Sequence, residues 1–249
     1  RDSMLYYLVA MGVSEYIDWN SGECSFDSPS FVKLLEFITT FPAEYTYSED
    51  EQYIDDYTLL AQGKVLLSPF TAYDLQSFYV YDKMLSGKLV FKGFPSDSGV
   101  GHIFSPNTAL AITTKCKNKD AAWQFVRTVL TYDYQKERMY WGLPTNQQAF
   151  DDLIKDAMTP QYDENGNEVS RGGWGMSDGT TVEIYAMSQE DVDKFMELIN
   201  AAGTTYNYDE ELMSIIQEEA APFFAGQKNA ADTASVIQSR VSIYVNEQL

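Results

Sequence analysis

The chain has 249 residues, 45% of them hydrophobic and 14% aromatic, which suits one large domain or two smaller lobes and excludes a disordered chain. A net charge of −20 makes nucleic-acid phosphates and anionic lipid surfaces poor partners. The longest nearly apolar run, Met4 to Val13, falls far short of the about 20 residues that a membrane-spanning helix needs.

Residues 3–13 read as a short apolar helix, and Tyr16 to Phe26 as a hairpin turning at Asn20-Ser21-Gly22. Asp27-Ser28-Pro29 opens a helix, with a capping side chain followed by proline in the first turn. Phe31, Leu34, Leu35, Ile38 and Phe41 then recur at helical spacing, and Pro42 ends the run. Residues 50–62 read as an acidic helix closed by Gly63, and the run Glu49 to Asp56 as a solvated face. Strands are expected at Lys64–Leu67, Leu89–Phe91 and Ala109–Thr113. An aromatic-rich helix over 71–86, closed by Gly87, separates the first two, and the glycine-rich stretch Gly93 to Gly101 precedes the third.

Asn118 caps a helix whose Ala122, Phe125, Val126, Val129 and Leu130 share one face. Further helices are predicted over 132–140 and 146–157. The stretch 160–185 is the least regular part of the chain, with a hairpin turn at Asp163-Glu164-Asn165-Gly166. Ser188 and Asp191 form a capping box for a helix to about Asn200. Two helices close the chain, over 209–224 and 230–248; Pro222 bends or ends the first, and Ala230, Ala234, Ile237, Val241 and Tyr244 make a buried stripe on the second. This alternation is α/β and helix-rich. The strands are few and scattered for a complete doubly wound domain, as in a piece of something larger.

Charge is unevenly spread. Residues 1–63 carry 12 acids and 2 bases, 64–140 carry 6 and 10, and 141–249 carry 19 and 5. Cys24 and Cys116 lack CxxC spacing, so a metal or redox pair is not expected; a disulfide and two free thiols both stay open. His102 is the only histidine, which rules out His-based metal clusters and dyads; no metal, cofactor or catalytic residue is expected. Neither GxSxG, a P-loop nor a GxGxxG after a strand is present. Asp163 to Glu168 lacks the alternating acids and distal Glu of a calcium loop.

The aromatics carry more information. Four Trp, 18 Tyr and 14 Phe sit among 37 acids. Sugar rings present apolar C–H faces that stack on aromatic planes, and their hydroxyls need polar partners.

Five ordered segments resemble the family 1 extracellular solute-binding proteins, the maltose-binding-protein-like carbohydrate receptors of bacterial ABC importers. They are Phe26-Asp27-Ser28-Pro29-Ser30-Phe31; Leu59-Leu60-Ala61-Gln62-Gly63-Lys64-Val65; Ala109-Leu110-Ala111-Ile112 followed by Asn118-Lys119-Asp120-Ala121-Ala122-Trp123-Gln124-Phe125-Val126; Tyr134-Gln135 with Gly142-Leu143-Pro144-Thr145; and Ile215 to Ile237 with Phe223-Phe224-Ala225-Gly226-Gln227-Lys228.

The resemblance implies the C-terminal portion of a type II periplasmic-binding-protein fold, whose two α/β lobes close on a ligand. Residues 1–113 correspond mostly to the C-terminal lobe, 114–200 to the hinge return and part of the other lobe, and 201–249 to the closing helices. The upstream part would hold a signal peptide and lipid-anchoring cysteine. The implied location is therefore extracellular, as a cell-surface lipoprotein, or periplasmic. The implied partners are a saccharide and the permease subunits of the importer, and the membrane is met only through the anchor. Carried onto this chain, the resemblance points to Phe70, Tyr73, His102, Tyr206 and Tyr208; Trp141, beside the fourth segment, and Trp174, in a glycine-rich loop, are further stacking candidates. A non-sugar solute such as a peptide or polyamine, or a carbohydrate-active enzyme lobe, are the alternatives. The chain alone is expected to bind weakly or not measurably.

Overall fold

Helices in this chain begin where a short polar side chain can accept a backbone N–H that has no partner within its helix. Ser28, Asp55, Asp74, Asn118, Asn146, Asp209 and Asn229 each do so. The structure is a computed structural model that describes residues 1–44, 54–94, 99, 101–106, 108–138, 142–206 and 208–249. The helices are α1 (Asp2–Gly12), α2 (Pro29–Ile38), α3 (Asp56–Ala61), α4 (Leu75–Met84), α5 (Lys119–Val126), α6 (Tyr132–Arg138), α7 (Gln147–Ala157), α8 (Gln189–Asn200), α9 (Glu210–Phe224) and α10 (Ala230–Gln248). The strands are β1 (Ile17–Asp18), β2 (Glu23–Cys24), β3 (His102–Phe104), β4 (Gln161–Tyr162), β5 (Glu168–Val169), β6 (Gly173–Gly175), β7 (Thr181–Glu183) and β8 (Ala202–Thr205). Helix-rich α/β is the class observed. Among the described residues every sheet is two-stranded, and no helix is long and apolar enough to cross a membrane.

The chain divides into two units. One is built from Arg1–Asp50, Lys92–Ser105 and Asn200–Leu249; the other from Glu51–Phe91 and Pro106–Ile199. Each is assembled from segments distant in sequence.

The first unit packs α1, α2, α9 and α10 around Leu5, Val9, Phe26, Phe31, Leu35, Ile38, Ile216, Ile237 and Val241, all fully or almost fully buried. The expected stripe on α10 is buried as read, with Tyr244 partly buried and its hydroxyl donating to Asp209 at 2.9 and 3.0 Å. Gln238 on α10 accepts from Phe26 N at 2.7 Å and donates to the Cys24 carbonyl at 2.8 Å, so one amide satisfies two backbone groups of the β2–α2 connection. β1 and β2 form the expected hairpin, and Gly22 takes the left-handed φ of +76° that closes it. β3 and β8 run parallel, with a shift in register between His102 and Ile103.

The second unit closes on Leu75, Phe78, Tyr79, Val80, Ile184, Met187, Val192 and Phe195. α4 and α8 also meet through charge. Lys83 reaches Asp191 at 2.5 Å, Lys194 reaches Asp82 at 3.7 Å, and both carboxylates are buried. Ser188 and Asp191 make the expected capping box. β4–β5 and β6–β7 are antiparallel hairpins, the first turning at Asp163–Gly166 as read.

Several expectations are corrected. Lys64–Leu67, Leu89–Phe91 and Ala109–Thr113 form no strands. A strand exists only when a neighbour pairs with it, and among the described residues these segments have none; Leu66 and Leu67 stand 90% and 86% exposed. β8, which does pair, was not anticipated. α5 begins at its Asn118 cap, yet none of its residues is buried and Phe125 is 71% exposed, so its apolar periodicity marks a face that the described residues leave at most half-buried. α4 starts at Leu75 rather than at 71, because Asp74 supplies the cap. α2 ends at Ile38, ahead of Pro42. Pro222 sits inside the last turn of α9, which runs two residues past it. Part of the acidic helix expected over 50–62 and the end of that over 132–140 lie outside the described residues. Both cysteines are free thiols.

Candidate functional site

Phe70 and Trp174, 104 positions apart, belong to one aromatic cluster in the second unit. Tyr57 on α3 joins them. Its ring lies 6.1 Å from Trp174 and 4.8 Å from Tyr81 on α4, both edge-on. Phe70 packs 4.3 Å from Tyr81 and 5.2 Å from Phe91, and Phe91 stacks on Phe78 at the core. The cluster therefore runs from the buried core out to Trp174, which is 44% exposed. Edge-on aromatic contacts of this kind fix ring planes as well as exclude water. Burial, together with the Tyr57 hydroxyl beside it and the charges of Asp56 and Asp55, pushes the Tyr81 phenol well above its ordinary range.

Polar groups flank this surface. Asp55 caps α3, its carboxylate accepting from Thr58 N at 2.8 Å and Thr58 Oγ1 at 2.9 Å. It also accepts from Ser177 N at 2.9 Å, while Asp55 N donates to Ser177 Oγ at 3.2 Å. Ser177 Oγ lies 3.1 Å from Thr58 Oγ1. Burial works against the Asp55 charge, but the donors on Ser177 and Thr58 outweigh it and hold the carboxyl well below the usual carboxylate range. The β6–β7 hairpin that carries Trp174 is shaped by pairing of Trp174 with Val182 and by Asp178, which accepts from Thr180 N and Oγ1 within the turn.

The first unit gathers a second group. Tyr206 follows β8 and donates its N–H to the Phe104 carbonyl of β3 at 2.7 Å. Its hydroxyl meets that of Tyr6 on α1 at 3.1 Å, and Tyr6 and Tyr206 both have ring contacts with Tyr208. Burial and the Tyr6 hydroxyl push the Tyr206 phenol up. His102 opens β3 and is half-buried. The unit thus brings His102, Tyr206 and Tyr208 to one two-stranded sheet and its exit. Tyr73, in the loop before α4, is 67% exposed. Trp141 lies outside the described residues.

Sequence reasoning missed Tyr6, Tyr57, Tyr81 and the Asp55–Thr58–Ser177 network. Asp55 three residues ahead of Thr58 carried a readable capping signal; the link to Ser177 carried none. Among the described residues no group of three or more His, Cys, Asp or Glu is placed to hold a metal ion. No protein-family model matches the chain, and no curated protein matches it.

Proposed function

We propose that this chain is part of a saccharide-binding receptor that delivers its ligand to a bacterial ABC importer without chemically transforming it. The observation that carries the reading is the Tyr57–Trp174 aromatic surface with the exposed Asp56 carboxylate alongside. An exposed indole offers a flat apolar face for a pyranose ring, and adjacent acceptors suit its hydroxyls. The five ordered sequence segments supply the family, and with it the type II binding-protein fold, the permease partner and an extracellular or periplasmic location. Two units, each drawn from segments separated in sequence, support that architecture.

The test is a thermal-shift screen of the complete two-lobed receptor against mono- and oligosaccharides. A ligand that binds only the folded state raises the melting temperature, and the rise grows with the logarithm of its concentration above Kd. A sugar-dependent rise that is lost in Trp174→Ala is the expected result. A flat response across the panel from the complete receptor, folded, overturns the reading.

A second reading has its own support. The charge of −20 and the carboxylates beside the exposed aromatics suit a cationic solute, since ammonium groups are attracted both to carboxylates and to aromatic faces. A polyamine that displaces bound sugar, or that alone raises the melting temperature, identifies this case.

A further inference from the structure

We infer that Asp55 is a positioning residue for the ligand surface: through Ser177 it ties the hairpin bearing Trp174 to the helix bearing Tyr57, and so sets the two rings against each other. The inference rests on the proposed ligand-binding role of Trp174, and it adds a residue that makes no aromatic contact of its own.

The geometry has three parts. The β6–β7 hairpin is held at its base, where Arg171 N donates to the Ile184 carbonyl at 2.7 Å and Ile184 N to the Gly172 carbonyl at 2.9 Å. Along its length β6 is exposed at every residue, so packing does little to fix its outer end. At that end Ser177, three residues beyond Trp174, meets Asp55 through two hydrogen bonds in opposite directions. Thr58 completes the link, since its hydroxyl is almost fully buried and takes Asp55 and Ser177 as its partners. A carboxylate is the group that serves here. Its two oxygens accept three donors at once, from Thr58 N, Thr58 Oγ1 and Ser177 N, and hydrogen bonds to a charged acceptor are roughly twice as strong as neutral ones. Tyr57 lies within the same helical turn as the cap, so the cap that starts α3 also fixes where the Tyr57 ring sits.

Asn at position 55 separates the two tasks. It remains a good helix cap, but its Nδ2 cannot accept from Ser177 N. Asp55→Asn is therefore expected to leave the melting temperature within a few degrees of the parent while loosening the hairpin tip. Two readouts follow on the complete receptor. The first is saccharide affinity, using whichever sugar gives the largest thermal shift. The second is iodide quenching of Trp174, taken as the difference between each protein and its Trp174→Phe counterpart. Expected are an approximately tenfold loss of affinity, the equivalent of about 1.4 kcal/mol, and a rise in quenching. Ser177→Ala should show both effects, and Ser177→Thr, which keeps the hydroxyl, should restore parental behaviour. Unchanged affinity and unchanged quenching in folded Asp55→Asn and Ser177→Ala overturn the inference. If no sugar binds the complete receptor, the proposed function fails on that ground alone. Quenching then decides the tether: a rise in both variants upholds it, and no rise sinks it.

Discussion

Asp55 and Ser177 lie 122 positions apart and exchange two hydrogen bonds, so the cap of a six-residue helix is also the anchor of a distant hairpin. Nothing local to either residue requires the other. The same pattern recurs at lower stakes in Gln238, whose amide serves backbone groups more than 200 positions away. Short elements in this protein are held by side chains that do two jobs, which makes single substitutions informative.

Removal of the Gln238 amide strands a backbone N–H at Phe26 and a carbonyl at Cys24, both in a part-buried setting. Gln238→Leu should cost about 1–3 kcal/mol, the penalty of desolvated groups left without partners. Urea denaturation followed by far-UV circular dichroism gives the number.

Phe195 and Phe78 are fully buried with ring centroids 5.3 Å apart, whereas Phe125 on α5 is 71% exposed. Phe195→Ala should destabilise the second unit by about 3–5 kcal/mol, and Phe125→Ala by about 0.5 kcal/mol or less. Comparable losses at the two positions would mean that the α5 face is covered in solution.

Burial opposes the charge of Asp191, but hydrogen bonds from Lys83 and Ser188 and the Lys83 charge outweigh it, so its pKa lies below the ordinary value. A carboxyl with a depressed folded-state pKa contributes stability that is present above the unfolded pKa of about 3.9 and is lost as the pH falls through the lower folded value. Thermal melts should therefore be flat in this respect from pH 7 to about pH 5 and drop steeply below about pH 4. Lys83→Met should weaken that acid dependence. An identical acid profile in the variant would assign the drop to other carboxylates, such as Asp55.

Gly101 approaches backbone closely. A Cβ there would stand 2.1 Å from the Phe94 carbonyl oxygen, and Phe94 N donates to the Gly101 carbonyl at 2.7 Å. Gly101→Ala must displace backbone next to β3, and it should destabilise the protein by more than the roughly 0.5 kcal/mol of an ordinary surface change. Hydrogen exchange at Ile103 and Tyr206 reads the effect locally.

Much of the helical framework was legible in the residues. Ser28 with Pro29, Asn118, and Ser188 with Asp191 announce helix starts through side chains that reach only three residues, and the α10 stripe follows from a period of 3.6. The hairpins at Gly22 and at Asp163–Gly166 were equally readable, because a tight turn is set by its own few residues. Pairing and covering were decided only by tertiary structure. Val65 to Leu67 has the composition of a strand and forms none, while Ala202–Thr205 pairs with His102–Phe104, whose partners lie a hundred or more positions away. A strand or an apolar face is completed by a partner that local sequence does not name. The same holds for the candidate site. The resemblance pointed to Phe70, and the glycine-rich loop around Trp174 to its exposure, but only the fold could place Tyr57 between Trp174 and Tyr81 and bring Ser177 to Asp55.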